Sequence, residues 1–228
     1  MRKVIAGPGC SECVCGLINV PKENGEIGWT TKFCDCWYEF ENLKKMYELL
    51  DASNVSMMNL VKNPISEISK DRLALIENAL SDEERYEGKN WLFIWGPLGT
   101  GKTFLTVAAV QVAIAQEKSV FSIQVPEFLD NMRPDSKVIG TMEKAMSVDL
   151  LILDDWGKEK NAIWVGQQLF MLINKRYESG KPTIITSNID PDEFNRDNIT
   201  SVAIIERILH RSEIIVLSDK NFRTDKKY

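Results

Sequence analysis

The stretch "WLFIWGPLGTGKTF", residues 91 to 104, decides how the rest of the chain is read. Large apolar residues suited to a buried strand give way to a turn containing Gly96, Gly99 and Gly101, then to Lys102 and Thr103, and then to the helical run "LTVAAVQVAIA". Glycines leave backbone N–H groups unobstructed, and the helix that follows adds the positive end of its dipole at the same place. Such a turn is an anion site. The spacing of Gly96, Gly101, Lys102 and Thr103 satisfies G-x-x-x-x-G-K-[ST], in which the lysine reaches the β and γ phosphates and the threonine hydroxyl takes a place on Mg²⁺. The expected ligand is a nucleoside triphosphate with Mg²⁺, held by Gly96, Pro97, Leu98, Gly99, Thr100, Gly101, Lys102, Thr103 and Phe104.

Outward from this turn, five short apolar runs recur at intervals that suit a parallel sheet with crossover helices: "WLFIW" at 91, "SVFSIQV" at 119, "DLLILDD" at 149, "PTIITSN" at 182 and "EIIVLS" at 213. The expected architecture is α/β. In such sheets the chemistry gathers at the carboxyl ends of the strands. The third run ends in Asp154 and Asp155, where the first acid can hold Mg²⁺ and the second can orient or deprotonate an attacking water. The fourth ends in Thr186, Ser187 and Asn188, polar groups able to hold a water or the γ-phosphate. Between them, residues 161 to 182 read as a helix with Val165, Leu169, Leu172 and Ile173 inward, stopped by Gly180 and Pro182. Trp156 and Trp164, flanking the acidic pair, are expected to pack.

The bulk composition is ordinary for a globular protein: 228 residues, 44% hydrophobic and 27% charged, enough for one well-packed domain and a small appendage. A net charge of −5 supplies no global basic field for DNA or an anionic membrane, so any nucleic-acid contact has to be local. The most apolar stretch, "FLTVAAVQVAIA", is too short to span a bilayer. The start "MRKVIAGPGC" has no signal-peptide core and "TDKKY" is no lipidation signal, so a cytoplasmic location is expected.

All five cysteines fall between residues 10 and 36. Two close pairs of thiolates across a loop can wrap a tetrahedral Zn²⁺: Cys10 and Cys13 supply one pair, Cys34 and Cys36 the other, and "NGEIGW" reads as a turn between short strands. Cys15 is an alternative to Cys13. A closed four-sulfur site braces or binds and does not catalyse. Residues 37 to 50 place Trp37, Phe40, Leu43, Tyr47 and Leu50 on one helical face, expected to pack on this module. Residues 51 to 87 then read as a linker with a helical lead-in, "KDRLALIENALSDEERY", to the domain that occupies 88 to 228.

Taken in order, "WLFIWGPLGTGKTFL", the run from "LLILDDWGKEK" to "PTIITSN", and "IIERILHRSEIIVLSDKNFR" resemble the AAA+ ATPases of the bacterial helicase-loader group, the DnaC/DnaI type, and the related IstB-type transposition helpers. The resemblance covers about residues 88 to 224. It implies that Lys102 and Thr103 are the Walker A pair, Asp154 and Asp155 the Walker B pair, and Asn188 the sensor 1 residue. It also implies that Arg207, or alternatively Arg211, is an arginine finger reaching a neighbouring subunit's nucleotide, and that Arg223 is a sensor 2 arginine.

Members of the wider superfamily mostly carry Glu where this chain has Asp155, which implies slow hydrolysis, and the short tail after the fifth run leaves no room for a helical lid. The implied partners are a replicative DnaB-type helicase, single-stranded DNA and further copies of the chain. Arg133, Lys137 and Lys144 lie where related proteins line a DNA channel, although three cations among several acids read equally as a solvated face. The rival readings are a transposition helper acting on duplex DNA and a nucleotide-bound adaptor with little turnover.

Overall fold

The computed structural model describes residues 17–21, 29–33, 52–55, 68–81, 89–157, 162–194 and 196–217, the first two stretches as backbone only. The chain divides into two compact units, Met1–Glu48 and Leu49–Tyr228. In the first, β1 (Leu17–Pro21) and β2 (Trp29–Phe33) pair antiparallel, with Leu17 opposite Phe33 and Pro21 opposite Trp29. The two short strands expected on either side of "NGEIGW" are present, and residues 22–28 lie outside the described residues. Cys10, Cys13, Cys15, Cys34, Cys36 and the expected helix over 37–50 lie outside the described residues.

The second unit runs α1 (Lys70–Ala79), β3 (Trp91–Trp95), α2 (Lys102–Ala115), β4 (Val120–Gln124), α3 (Val125–Asn131), α4 (Thr141–Ser147), β5 (Leu150–Trp156), α5 (Ile163–Ser179), β6 (Thr183–Ser187), α6 (Ile199–Arg211) and β7 (Ser212–Val216). The strands form one sheet in the order β4-β5-β6-β3-β7, and every neighbouring pair is parallel. All five apolar runs are strands. Their uninterrupted apolar character follows from burial on both faces. Trp91, Phe93, Phe121, Ile123, Leu151, Leu153 and Ile185 pack with Leu169, Leu172 and Ile173 of α5 and Ile204, Ile205 and Ile208 of α6. The alternate residues Leu92, Ile94, Leu150, Ile152 and Ile184 are equally buried on the opposite face, as are Leu105, Ala108, Ala109 and Val112 of α2.

Helix α5 ends at Gly180, in the left-handed conformation expected of a stop signal. The stretch expected to be a linker is tied down at one point. Ser122 N donates to Ser53 O at 2.8 Å and Asn54 Nδ2 donates to Ser122 O at 3.0 Å, so residues 53 and 54 cover the outer edge of β4.

Candidate functional site

The glycine turn leaves β3 between the ends of its two neighbours, β6 and β7. Gly96 N donates to Ser187 O at 3.2 Å on one side, and on the other Leu217 N donates to Trp95 O at 2.9 Å. A Cβ at Gly96 would lie 2.1 Å from Leu217 O, so only glycine fits. Gly99 and Gly101 take left-handed backbones, with φ of 82° and 97°. Thr100 Oγ1 closes the turn by donating to Pro97 O at 2.9 Å. Lys102 Nζ lies inside it, donating to Gly96 O at 2.5 Å and Pro97 O at 2.8 Å. Helix α2 starts at Lys102 with no acid in its first turn, so the positive end of its dipole stays uncompensated. This is an electropositive cradle, and it suits phosphate.

The acidic pair owes its geometry to an irregularity. In a regular strand Asp154 and Asp155 would point to opposite faces. The pairing of β5 with β6 shifts between Leu153 and Trp156, and Asp155 has φ of 62°. Asp and Asn enter this left-handed region far more readily than longer side chains do, which gives a local reason for Asp at this position. Thr186, fully buried, joins the two acids: its Oγ1 donates to Asp154 Oδ1 and accepts from Asp155 N at 3.1 Å. Asn188 Nδ2 donates to Asp155 Oδ1 at 2.8 Å, while Asn188 Oδ1 is buried and finds no partner among the described residues.

Thr103 and Asp154 line one cleft of about 350 Å³ together with Thr106, Gln124 and Glu127. A hydroxyl and a carboxylate on one cleft wall beside a phosphate cradle form an oxygen donor set that fits Mg²⁺. Ser187 is occupied structurally, its Oγ donating to Trp156 O at 2.9 Å and accepting from Ile189 N at 2.9 Å. Trp156 is buried and Trp164 packs against the same core, as expected.

The implied arginines lie elsewhere. Arg207, on α6, has all its partners among the described residues on α5 and α6: Nε donates to Asn174 Oδ1 at 3.0 Å and Nη1 to Ala203 O at 2.9 Å. Arg211 Nη2 donates to Tyr177 O at 3.4 Å. Arg223 falls outside the described residues. Among the expected DNA contacts, Arg133 is paired with Asp130 at 3.0 Å and Lys144 sits 4.4 Å over the Phe121 ring, which leaves Lys137 as an exposed cation in the loop before α4.

Sequence reasoning passed over Arg176, a fully buried cation on α5. Its Nε donates to Thr183 Oγ1 at 3.2 Å, Nη1 to Val148 O at 2.6 Å and Ala145 O at 3.4 Å, and Nη2 to Asp149 O at 3.2 Å and to Pro182 O. Burial pushes its guanidinium down to about 9, while the Asp149 charge acts in the opposite direction. It remains charged at neutral pH. The stripe Leu169, Leu172, Ile173 continues at helical spacing to residue 176, and this was the one available signal that the position faces inward.

A phosphate cradle after the interior strand β3, with a bulged acidic pair on the next strand but one and the amide of Asn188 just past the strand between, defines a P-loop nucleotide-binding protein with an AAA+ type of sheet. The chain belongs to the family of IstB-like ATP binding proteins, whose profile matches residues 78–228. It is 25% identical over 210 residues to the replicative helicase loader DnaI of Bacillus subtilis, covering 83% of this chain and 67% of that protein. It is 32% identical over 146 residues to the putative ATP-binding protein of insertion sequence IS5376 from Geobacillus stearothermophilus, covering 61% of this chain and 57% of that one. A crystal structure of DnaI superposes with a TM-score of 0.60 at 21% identity, over 77% of this chain and 93% of that one, a likeness of fold. No helix among the described residues is long and apolar enough to cross a membrane.

Proposed function

We propose that the chain is an ATP-hydrolysing loader of a replicative ring helicase onto single-stranded DNA. The observation that carries this reading is the reach of the match to DnaI. Its 83% of the chain exceeds what residues 78–228 alone can supply, so the likeness extends into the N-terminal part, whereas the 61% matched by the insertion-sequence protein does not require this. Residues 96 to 104 hold the triphosphate, with Lys102 leaving its own loop carbonyls for the β and γ phosphates. Thr103 and Asp154 are the residues that would hold Mg²⁺, which when bound neutralises charge on the transferring phosphoryl group. Asp155 takes a proton from the attacking water. Asn188 fixes Asp155 through Nδ2 and offers its Oδ1, which has no partner among the described residues, to the same water. The water oxygen bonds to the γ-phosphorus as the bond to the ADP oxygen breaks.

In this reading Arg207 completes the site of a neighbouring copy, with Arg223 as sensor from the tail, so turnover depends on self-association. Residues 1 to 50 grip the helicase as a unit braced by Zn²⁺ on Cys10, Cys13, Cys34 and Cys36, residues 51 to 87 connect, and 88 to 228 form the ATPase. Nucleotide state then sets the grip, and hydrolysis resets it.

The direct test is binding of the full chain to the DnaB-type helicase of its own host, with ATP and with ADP. The expected result is an affinity that differs between the two nucleotides and is lost when residues 1 to 50 are removed. Absence of binding with either nucleotide would transfer the proposal to duplex DNA and a transposase, the reading that the family profile and the 32% identity to the insertion-sequence protein favour. Metal analysis tests the cysteine unit separately. Protein purified without chelator should carry about one zinc ion per chain, and Cys34→Ala should release it. A substoichiometric zinc content would sink the four-thiolate site.

A further inference from the structure

Phe170, Asn174 and Tyr177 form one stripe of α5, at i, i+4 and i+7, and all three face the same guanidinium. Arg207 Cζ lies 5.1 Å from the Phe170 ring centroid and 5.8 Å from that of Tyr177. Asn174 Oδ1 accepts from Arg207 Nε at 3.0 Å, and the amide is itself oriented, because its Nδ2 donates to Glu178 Oε1 at 2.8 Å. With Nη1 on Ala203 O, the guanidinium is fixed on two of its nitrogens. Among the described residues its Nη2 has no partner. Arg211 differs. It lies 5.0 Å over the Tyr177 ring, its Nη2 donates to Tyr177 O in the last turn of α5, and its buried Nε has no partner among the described residues. That is the arrangement of a cation capping a helix end.

We propose that Asn174 is the positioning residue for Arg207, holding its guanidinium in the orientation from which Nη2 enters the nucleotide site of a neighbouring copy. The proposal rests on the trans-finger reading above, and it separates the two arginines: Arg207 is the finger and Arg211 caps α5. An unrestrained arginine loses much rotamer freedom when it inserts into a partner. A guanidinium already stacked on aromatic rings and fixed by an oriented amide has lost most of that freedom within its own protomer.

Mixed assemblies of full-length chains test this with ATP and Mg²⁺. A Lys102→Ala protomer keeps its finger and lacks a working nucleotide site, while an Arg207→Ala protomer keeps the nucleotide site and lacks the finger. Each is expected to be nearly silent alone, and mixing should restore turnover. Adding Asn174→Ala to the Lys102→Ala protomer, the finger donor, should cut the restored rate about tenfold, the effect of losing one hydrogen bond to a charged group. Adding it instead to the Arg207→Ala protomer should leave the restored rate as it was, because no finger remains there to position.

Equal rates in both arrangements and without the substitution would overturn the proposal. A loss of equal size in both would also overturn it, since that is the signature of a residue needed only for folding. Failure of the first mixture, before Asn174 is touched, would instead remove the trans-finger reading on which the proposal stands.

Discussion

Asp155→Asn is expected to lower ATP turnover about a thousandfold while changing ATP affinity by no more than about twofold, the range associated with loss of a general base. The substitution is well matched to the site. Asn is isosteric, tolerates the φ of 62° at this position, and can still accept from Asn188 Nδ2 through its amide oxygen. The cradle and the Thr186 bridge to Asp154 therefore persist, and what disappears is the proton acceptor. Turnover under single-turnover conditions and nucleotide binding by fluorescence give the two numbers. A loss of rate below about tenfold would exclude Asp155 as the base. The same variant also decides between a timer and a passive adaptor, since helicase loading that survives without turnover would show that hydrolysis is dispensable.

Arg176→Ala is expected to destabilise the second unit by about 4 kcal/mol, because buried carbonyl oxygens are left without their donor. The carbonyls come from helix α4 (Ala145), the α4–β5 connection (Val148 and Asp149) and the α5–β6 connection (Pro182); Pro182 O would keep Leu151 N as a donor, and the buried carbonyls of Ala145 and Val148 would lose the guanidinium. For a unit of this size that energy corresponds to a fall in melting temperature of about 8–16 °C. Arg176→Lys should lie between, since one ammonium cannot reproduce the planar fork. Chemical denaturation provides the check, and a loss below about 1 kcal/mol would mean the network contributes little.

The pH behaviour of this corner has a definite sign. Burial opposes ionisation of Asp149, but hydrogen bonds from Ser119 and the charges of Lys181 and Lys118 outweigh it and hold the carboxyl below its ordinary value. Its contribution is therefore present above the unfolded carboxylate range and is lost as pH falls through the folded value. The Arg176 guanidinium, pushed down to about 9, titrates before its unfolded counterpart, so the unfolded chain holds more protons above that pH. From this group alone, stability rises with pH above about 9 and is flat through neutrality.

The strands were legible because burial on both faces writes itself as unbroken apolar runs, and the phosphate loop because its chemistry is local. Residues that meet their partners at a distance along the chain were not. Thr186 was singled out as a strand-end polar group, but nothing in its neighbourhood announces that it bridges two acids 31 and 32 residues earlier. The left-handed turn at Asp155 leaves no periodic trace, since one residue displaced in a seven-residue strand barely alters the pattern. Arg176 occupies a position whose spacing says inward and whose chemistry says outward. Its five acceptors resolve the conflict, and four of them are backbone carbonyls, which no side-chain pattern reports. The resemblance points to Arg207, whereas its contact with Asn174, 33 residues away, exists only where α5 and α6 pack together.

The pairing of Ser53 and Asn54 with Ser122 has a practical bearing on how this molecule can be cut. An uncovered edge strand is a template for the next chain to add to, and the outer ladder of the edge strand β4 is covered, among the described residues, by Ser53 and Asn54. The family profile begins at residue 78, which invites trimming to that point. A shortened chain beginning there would carry all five strands of the parallel sheet and the whole phosphate loop and would lack the cover that Ser53 and Asn54 give the edge of β4. To remain monodisperse, a truncated chain has to begin ahead of Ser53.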